Sequence, residues 1–427
     1  MPSLSARQLV LLAVFTLLPR MGLAVFLGIV GEPERWEYDV IAGNIVAGSG
    51  HVYDRLGFVY AAYSPPLWSV LLAALRGLFG EARGSIQVLQ GLLCLGAAVT
   101  YGNLARRISG DARTGALAAL LVALQPSLLF YSVVKSDPLP LNVLLLGMIV
   151  VLGIDVVNEP TPRLAARFGV LLGLGVLSRG TPVVALPIVA VALLGRFAGQ
   201  ALRTLGVIAV AFALCLAPWL IRNVLLLGVP VITTTAGENF WRGNHAGATG
   251  GVQDENGGQI THLIVSNPDL PEPIRTGLTG RSEVERDRLF GLEGWRFIRE
   301  KPKAAMELFT RKLRRFWWQI DSDPRDYLQE NAIAYEAVYR LELALAVLGM
   351  WLAVRSKPDR ADPRERRAAF LSIAVMIAVS LLQCAFYVQG RHRFLIEPLL
   401  LLFMAIGLTA LVRRGKLTRE GTELSPV

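Results

Sequence analysis

Apolar residues fall along this chain in long blocks separated by short basic turns, with two places where polar sequence runs on. About 20 apolar residues cross a bilayer, so the blocks predict about ten spans. They lie at 9–30, 84–105, 114–132, 138–157, 165–178, 182–195, 202–221, 335–354, 368–388 and 394–412. The fifth and sixth blocks are short and read as a broken pair around Leu177-Ser-Arg-Gly-Thr-Pro182. A further apolar piece from Pro66 to Phe79 is too short to span and reads as an interfacial or re-entrant helix. The two polar stretches, 31–83 and 222–334, divide the chain into an N-terminal transmembrane module (1–221, with outer loop 31–83), an extracytoplasmic segment (222–334), and C-terminal helices with a cytoplasmic tail (335–427).

The polar stretches carry helical periodicity. In the first, Tyr38, Ile41, Ala42 and Ile45 follow i, i+3, i+4, i+7 spacing, predicting a helix over 36–47 closed by Gly48-Ser-Gly50. In the second, helices are expected at 283–299 and 303–318. The latter is basic and ends Arg314-Arg-Phe-Trp-Trp318, which suits either a helix lying on a membrane surface or one packed in a small external domain. The expected fold class is therefore an all-α polytopic membrane protein with an interfacial first outer loop and a mostly helical extracytoplasmic segment.

Composition agrees. The chain is 53% hydrophobic and 18% charged with mean hydropathy +0.48, against roughly 25% charged residues in soluble proteins. The net charge of +10 does not call for nucleic acid, because the bases sit in loops on one side of the spans: Arg7; Arg106, Arg107 and Arg113; Arg163 and Arg167; Arg196 and Arg203; the 355–367 loop; and Arg413, Arg414, Lys416 and Arg419. The positive-inside rule then places both termini in the cytoplasm of a cell whose inner (plasma) membrane holds the protein. The N-terminal apolar run is longer than the 7–15 residues of a signal core, so it is read as an uncleaved span. Cys94, Cys215 and Cys384 lie in apolar runs and suggest no disulfide or metal framework. Arg20 inside the first span is expected to face the bundle interior.

Candidate chemistry gathers where charges break these patterns. Glu34, Glu37 and Asp39 stand just outside the first span; a carboxylate at such a boundary can serve as a general base or simply as a solvated acid near a helix N-terminus. Lys135-Ser-Asp137-Pro138 lies at the outer junction of two spans, and Asp137 there is either ion-paired with Lys135 or functional. Arg391-His-Arg393 is a cationic cluster in a very short outer loop, suited to phosphate oxygens. Arg179 and Arg222 are weaker cases of the same kind. No nucleotide-binding loop, His-Glu-x-x-His or paired cysteine motif occurs.

These pieces together resemble the lipid-dependent glycosyltransferases of the C-type fold, in particular glycosyltransferase family 39 (protein O-mannosyltransferase and aminoarabinose-transferase-like) and its bacterial Rgt-like relatives. The matching motifs are Glu34-Arg-Trp-Glu-Tyr-Asp-Val-Ile-Ala42, Tyr63-Ser-Pro-Pro-Leu-Trp68, Ser136-Asp-Pro138, Leu177-Ser-Arg179, Pro218-Trp-Leu-Ile-Arg-Asn223, Gly237-Glu-Asn-Phe-Trp-Arg-Gly-Asn244, Phe297-Ile-Arg-Glu-Lys-Pro302 and Arg391-His-Arg-Phe-Leu-Ile-Glu-Pro398. The family carries an Asp-Glu pair ahead of the first-loop tyrosine. Matching on Tyr38 puts Glu34 and Arg35 there, so this chain departs at the second acid. Where some relatives have an acid before the Pro-Pro step, it has Tyr63.

The resemblance implies transfer of a sugar, with inversion, from a polyprenyl-phosphate donor to a lipid, glycan or protein acceptor on the outer face. In that reading Glu34 or Glu37 is the base and Asp137 positions acceptor or sugar. Arg391, His392 and Arg393 hold the phosphate, Arg179 and Arg222 assist, and Tyr63 and Asn244 are among the substrate contacts. No cofactor is named by the sequence, and a divalent metal is left open. A transporter or flippase of lipid-linked sugar is the competing expectation; the lack of repeat symmetry weighs against it.

Overall fold

The computed structural model describes residues 5–55, 57–80, 84–251, 272–278, 280–318, 329–355 and 362–423. The first half runs α1 (Ala6–Phe26), α2 (Glu37–Val46), a hairpin of β1 (Tyr53–Arg55) and β2 (Phe58–Tyr60), α3 (Pro66–Phe79), α4 (Gly84–Ser109), α5 (Ala112–Ala123), α6 (Pro126–Val134) and α7 (Leu139–Asn158). There follow α8 (Pro162–Ser178), a 3-10 turn (Thr181–Val184), α9 (Ala185–Arg196) and α10 (Ala198–Leu227). The second half holds α11 (Ala236–Arg242), α12 (Glu272–Gly277), α13 (Glu283–Glu300), α14 (Pro302–Trp318), α15 (Gln329–Arg355), α16 (Pro363–Ala385), α17 (Gly390–Arg393) and α18 (Glu397–Glu423). Parts of the 222–334 segment and of the 355–367 loop lie outside the described residues.

The protein is an all-α polytopic membrane protein. Among the described residues six helices are long and apolar enough to cross a membrane: α1, α4, α7, α10, α16 and the Glu336–Arg355 part of α15. Counting the bent pair α5 and α6 as one span gives seven. This is fewer than the ten expected. The block at 165–178 is helical, but α8 has 17 residues, about 26 Å at 1.5 Å per residue against a 30 Å hydrocarbon core. The block at 182–195 starts as a 3-10 turn and leaves only 12 residues to α9. The block at 394–412 forms most of α18, which starts at Glu397.

Helix signals in the polar stretches hold up. The 36–47 pattern is α2, with Ile41 and Ala42 fully buried. Pro66 starts α3, where a missing N–H costs nothing. Ser282 caps α13 in a reciprocal box with Glu285. The amphipathic α14 buries Leu308, Lys312 and Phe316 and packs on α16 and α17, so it closes one end of the bundle.

Between helices, small residues allow close approach, as expected where lipid offers no hydrophobic drive. α15 meets α18 so tightly that a Cβ on Gly349 would collide with the Phe403 carbonyl oxygen. α1 turns inward one stripe spaced four apart, Leu12, Thr16, Arg20 and Ala24.

Arg20 is a strut for a broken span. α5 and α6 meet at a 41° bend, and Pro126, with no amide hydrogen, cannot continue α5. The Ala123 carbonyl at the end of α5 accepts instead from Arg20 Nη1 at 2.9 Å. The same guanidinium donates to the Thr16 carbonyl at 2.6 Å and, through Nε, to Ser132 Oγ at 2.9 Å. Arg20→Leu is expected to destabilise the protein by about 1–3 kcal/mol, the cost of leaving a buried acceptor unmatched. Thermal unfolding in detergent reads it; an unchanged melting temperature would show that the carbonyl needs no such partner.

Candidate functional site

Two glutamines on one face of α4 organise the acidic side of the site. Gln87 accepts from the Gly31 amide at 2.8 Å and donates to the carbonyls of Ile29 and Val133 at 3.0 and 2.9 Å. Gln90, fully buried, donates to the carbonyls of Ser132 and Lys135 at 2.8 and 2.9 Å and accepts from the Asp137 amide at 3.0 Å. Together they tie the exit of α1 to the loop between α6 and α7. The backbones join there as well: the Glu34 amide donates to the Val134 carbonyl at 2.7 Å, and the Ser136 amide to the Glu34 carbonyl at 3.0 Å, a short parallel bridge. Glu37, at the start of α2, and Asp137 are therefore brought together from positions a hundred residues apart.

α2 is held from behind. Arg76 of α3 donates to Asp39 Oδ1 at 3.1 Å and to the Asp39 carbonyl at 2.8 Å. The third acid of the first loop is thus a packing element.

The cationic side comes from α8 and from the turn after α16. Arg391 of α17 donates through Nε to Gln389 Oε1 at 2.7 Å, and its guanidinium lies 5.5 Å from the centre of the Trp36 ring. Arg179, just past α8, donates to Gln383 Oε1 at 3.3 Å. His392 follows Arg391. These side chains and Glu37, Tyr38, Trp36, Tyr131 and Asp137 line one cavity of about 120 Å³.

Burial pushes the carboxyls of Glu37 and Asp137 above the usual range, against the pull of Arg391 on both. Burial also holds His392 well below the ordinary histidine range, helped by the charges of Arg179 and Arg391. Asp137 is anchored, Oδ1 accepting from the Leu139 amide at 2.8 Å. Among the described residues Glu37 has no ion-pair partner within 4 Å and accepts from its own backbone amide. A half-free carboxyl facing two guanidiniums and a neutral imidazole can take a proton on one side while negative charge grows on the other.

Of the residues picked from sequence, the cavity brings together Glu37, Asp137, Arg179, Arg391 and His392. Five others stand outside its lining. Glu34, one of the two candidate bases, is half exposed and 3.9 Å from Lys135 Nζ. Lys135 itself is buried over the rings of Trp36 and Tyr131 at 4.8 and 5.3 Å. Arg393 is buried in an ion pair with Glu397 at 3.1 Å and stacks 3.6 Å from the Tyr339 ring centre. Arg222 is used up on the carbonyls of Ala61 and His51 at 2.7 and 3.1 Å, over Trp219. Asn244 donates to the Phe240 and Ala385 carbonyls and accepts from Lys312, whose ammonium burial has pulled down to about 8. Tyr63 stands one layer out, its ring tilted against that of Tyr53 with centres 4.7 Å apart, and near enough to Glu37 to feel its charge.

Sequence reasoning passed over Tyr38, Tyr131, Gln90 and Gln383. The glutamines had a usable signal, since an amide inside an otherwise apolar span needs partners. Among the described residues no group of three or more His, Cys, Asp or Glu is arranged to hold a metal ion.

No protein-family model matches the chain, and no curated relative matches it. Among solved structures, it is similar to the crystal structure of ArnT from Cupriavidus metallidurans bound to undecaprenyl phosphate, with 14% identity over 94% of this chain and 78% of that one and a TM-score of 0.44.

Proposed function

We propose that this protein is an inverting glycosyltransferase that moves a sugar from a polyprenyl-phosphate donor to an acceptor hydroxyl or amine on the outer face of the membrane. The observation that carries it is the cavity in which Glu37 and Asp137 oppose Arg179, Arg391 and His392 at one end of a membrane bundle. In the reaction Glu37 takes the proton of the acceptor as its heteroatom bonds to the anomeric carbon. The bond from that carbon to the phosphate oxygen breaks on the opposite face, which inverts the centre. The electron pair leaves on the phosphate, where Arg391 and Arg179 meet the added charge. Asp137, fixed by Gln90 and Leu139, orients the sugar or acceptor.

Orientation follows the same reading. At the end of the bundle away from the cavity, Arg107 pairs with Asp155 at 2.6 Å, Arg413 with Asp111 at 2.8 Å, and Arg367 donates to Asn158 at 2.9 Å. Bases gathered there favour a cytoplasmic position for that end and for both termini, in the plasma membrane, with the cavity facing out.

The test is reconstitution in nanodiscs with a radiolabelled polyprenyl-phosphate sugar and a panel of lipid, glycan and peptide acceptors. The expected result is release of polyprenyl phosphate coupled to a product whose anomeric configuration is inverted. Sugar-lipid crossing a liposome bilayer with no product bond formed would instead identify a transporter.

A further inference from the structure

We infer that Gln383 is a positioning residue of the cavity: it holds His392 as the tautomer protonated on Nε2 and turns Arg179 toward the same space. A bound phosphoryl group then meets one neutral and two cationic donors. The part concerning phosphate rests on the proposed function; the tautomer does not.

Gln383 lies in the last turn of α16 and is buried. Its amide can sit only one way round. Arg179 Nη2 lies 3.3 Å from Oε1, and a guanidinium has donors and no acceptor, so the oxygen must face it. The amide nitrogen Nε2 is then 3.0 Å from His392 Nδ1. A second donor meets the same ring atom independently, the Gln389 backbone N–H at 3.3 Å. Two N–H groups aimed at Nδ1 require a lone pair there, and a neutral imidazole with a lone pair on Nδ1 carries its proton on Nε2. The Tyr387 carbonyl lies 3.5 Å from Gln383 Nε2 and also accepts from the ring; with Nδ1 taken by two donors, the N–H it meets is the one on Nε2.

This assignment divides labour in the cavity. With Nδ1 engaged, His392 offers an N–H and no base, so proton removal falls to the carboxyls. A neutral donor beside Arg179 and Arg391 adds a hydrogen bond to an anion without adding a third positive charge to a buried site. Gln383 couples the two donors, because any movement of its amide disturbs Arg179 and His392 together.

The wild-type protein, labelled with ¹⁵N-histidine and placed in nanodiscs, tests the tautomer directly. The chain has four histidines, and the His392 signals are those lost in His392→Asn. At neutral pH the expected spectrum has His392 Nε2 protonated and Nδ1 bare. Gln383→Glu places acceptors opposite Nδ1 and is expected to move its shift to the protonated type. A protonated Nδ1 in the wild type, or no response to Gln383→Glu, overturns the inference. Binding of undecaprenyl phosphate to Gln383→Leu is expected to weaken about tenfold, the equivalent of about 1.4 kcal/mol. If the tautomer is as assigned and the wild type does not bind undecaprenyl phosphate, the phosphate reading fails and the positioning role stands.

Discussion

Glu37→Gln is expected to lower sugar transfer about 10³-fold, within the range that a positioned general base contributes, while leaving the protein folded. The amide keeps the shape and hydrogen-bonding capacity of the side chain at the start of α2, so binding of the donor should change little and the loss should fall on kcat. Glu34→Gln is the control. Its carboxylate is half exposed and 3.9 Å from Lys135, an ion pair of the kind worth about 0–1 kcal/mol, and its anchoring role is carried by backbone amide and carbonyl that the substitution leaves in place. Transfer should therefore persist in Glu34→Gln. The reverse outcome, loss in Glu34→Gln and retention in Glu37→Gln, would place the base outside the cavity.

Protonation gives the same prediction a second reading. Burial raises the Glu37 carboxyl above the usual carboxylate range, and a base works only when deprotonated. Activity should thus fall as pH drops through that raised value, so the acid limb of kcat/KM should lie above the ordinary carboxylate pKa. Arg391 pulls against burial. Removing it should move the limb further up.

The second large effect separates two arginines that are two residues apart. Arg391→Ala is expected to reduce transfer about 10²–10³-fold, the size seen when one donor to a developing oxyanion is removed, with weaker undecaprenyl phosphate binding and an unaltered melting temperature. Arg393→Ala is expected to act on folding, by about 3–5 kcal/mol, because it leaves a buried carboxylate uncompensated. Glu397 would keep its contacts with Gln125 and Ser127 but lose its cation, and the Tyr339 face would lose the guanidinium stacked on it. Melting temperature and phosphate affinity, measured side by side, decide the matter. A stable Arg393→Ala protein with lost phosphate binding would return Arg393 to the site.

The hydrophobic blocks, the α2 pattern and the helices at 283–300 and 302–318 were legible because periodicity and hydropathy are local properties. The partition of charged residues was not, because it depends on distant partners. Glu34, Glu37 and Asp39 are neighbours in sequence, yet one meets Lys135, one faces the cavity and one meets Arg76. The Arg391-His-Arg393 run reads as a single cationic patch. On a helical turn, however, successive side chains diverge by about 100°, so three in a row cannot all face one cavity. Arg393 faces Glu397 one turn on. Gln90 and Gln383 carry no charge and so broke the apolar pattern but not the charge pattern, though each gathers several groups that carry charge.

The partners of Arg20 have a consequence for how the chain enters the membrane. Ala123 and Ser132 are synthesised about a hundred residues after the first span, which therefore reaches the bilayer with only its own Thr16 carbonyl to receive the guanidinium. On insertion scales an arginine at mid-helix costs about 2.5–3.5 kcal/mol. Those two contacts form only once the bent α5 and α6 have emerged, so a single residue makes the first span depend on a later pair of helices for two of its hydrogen bonds.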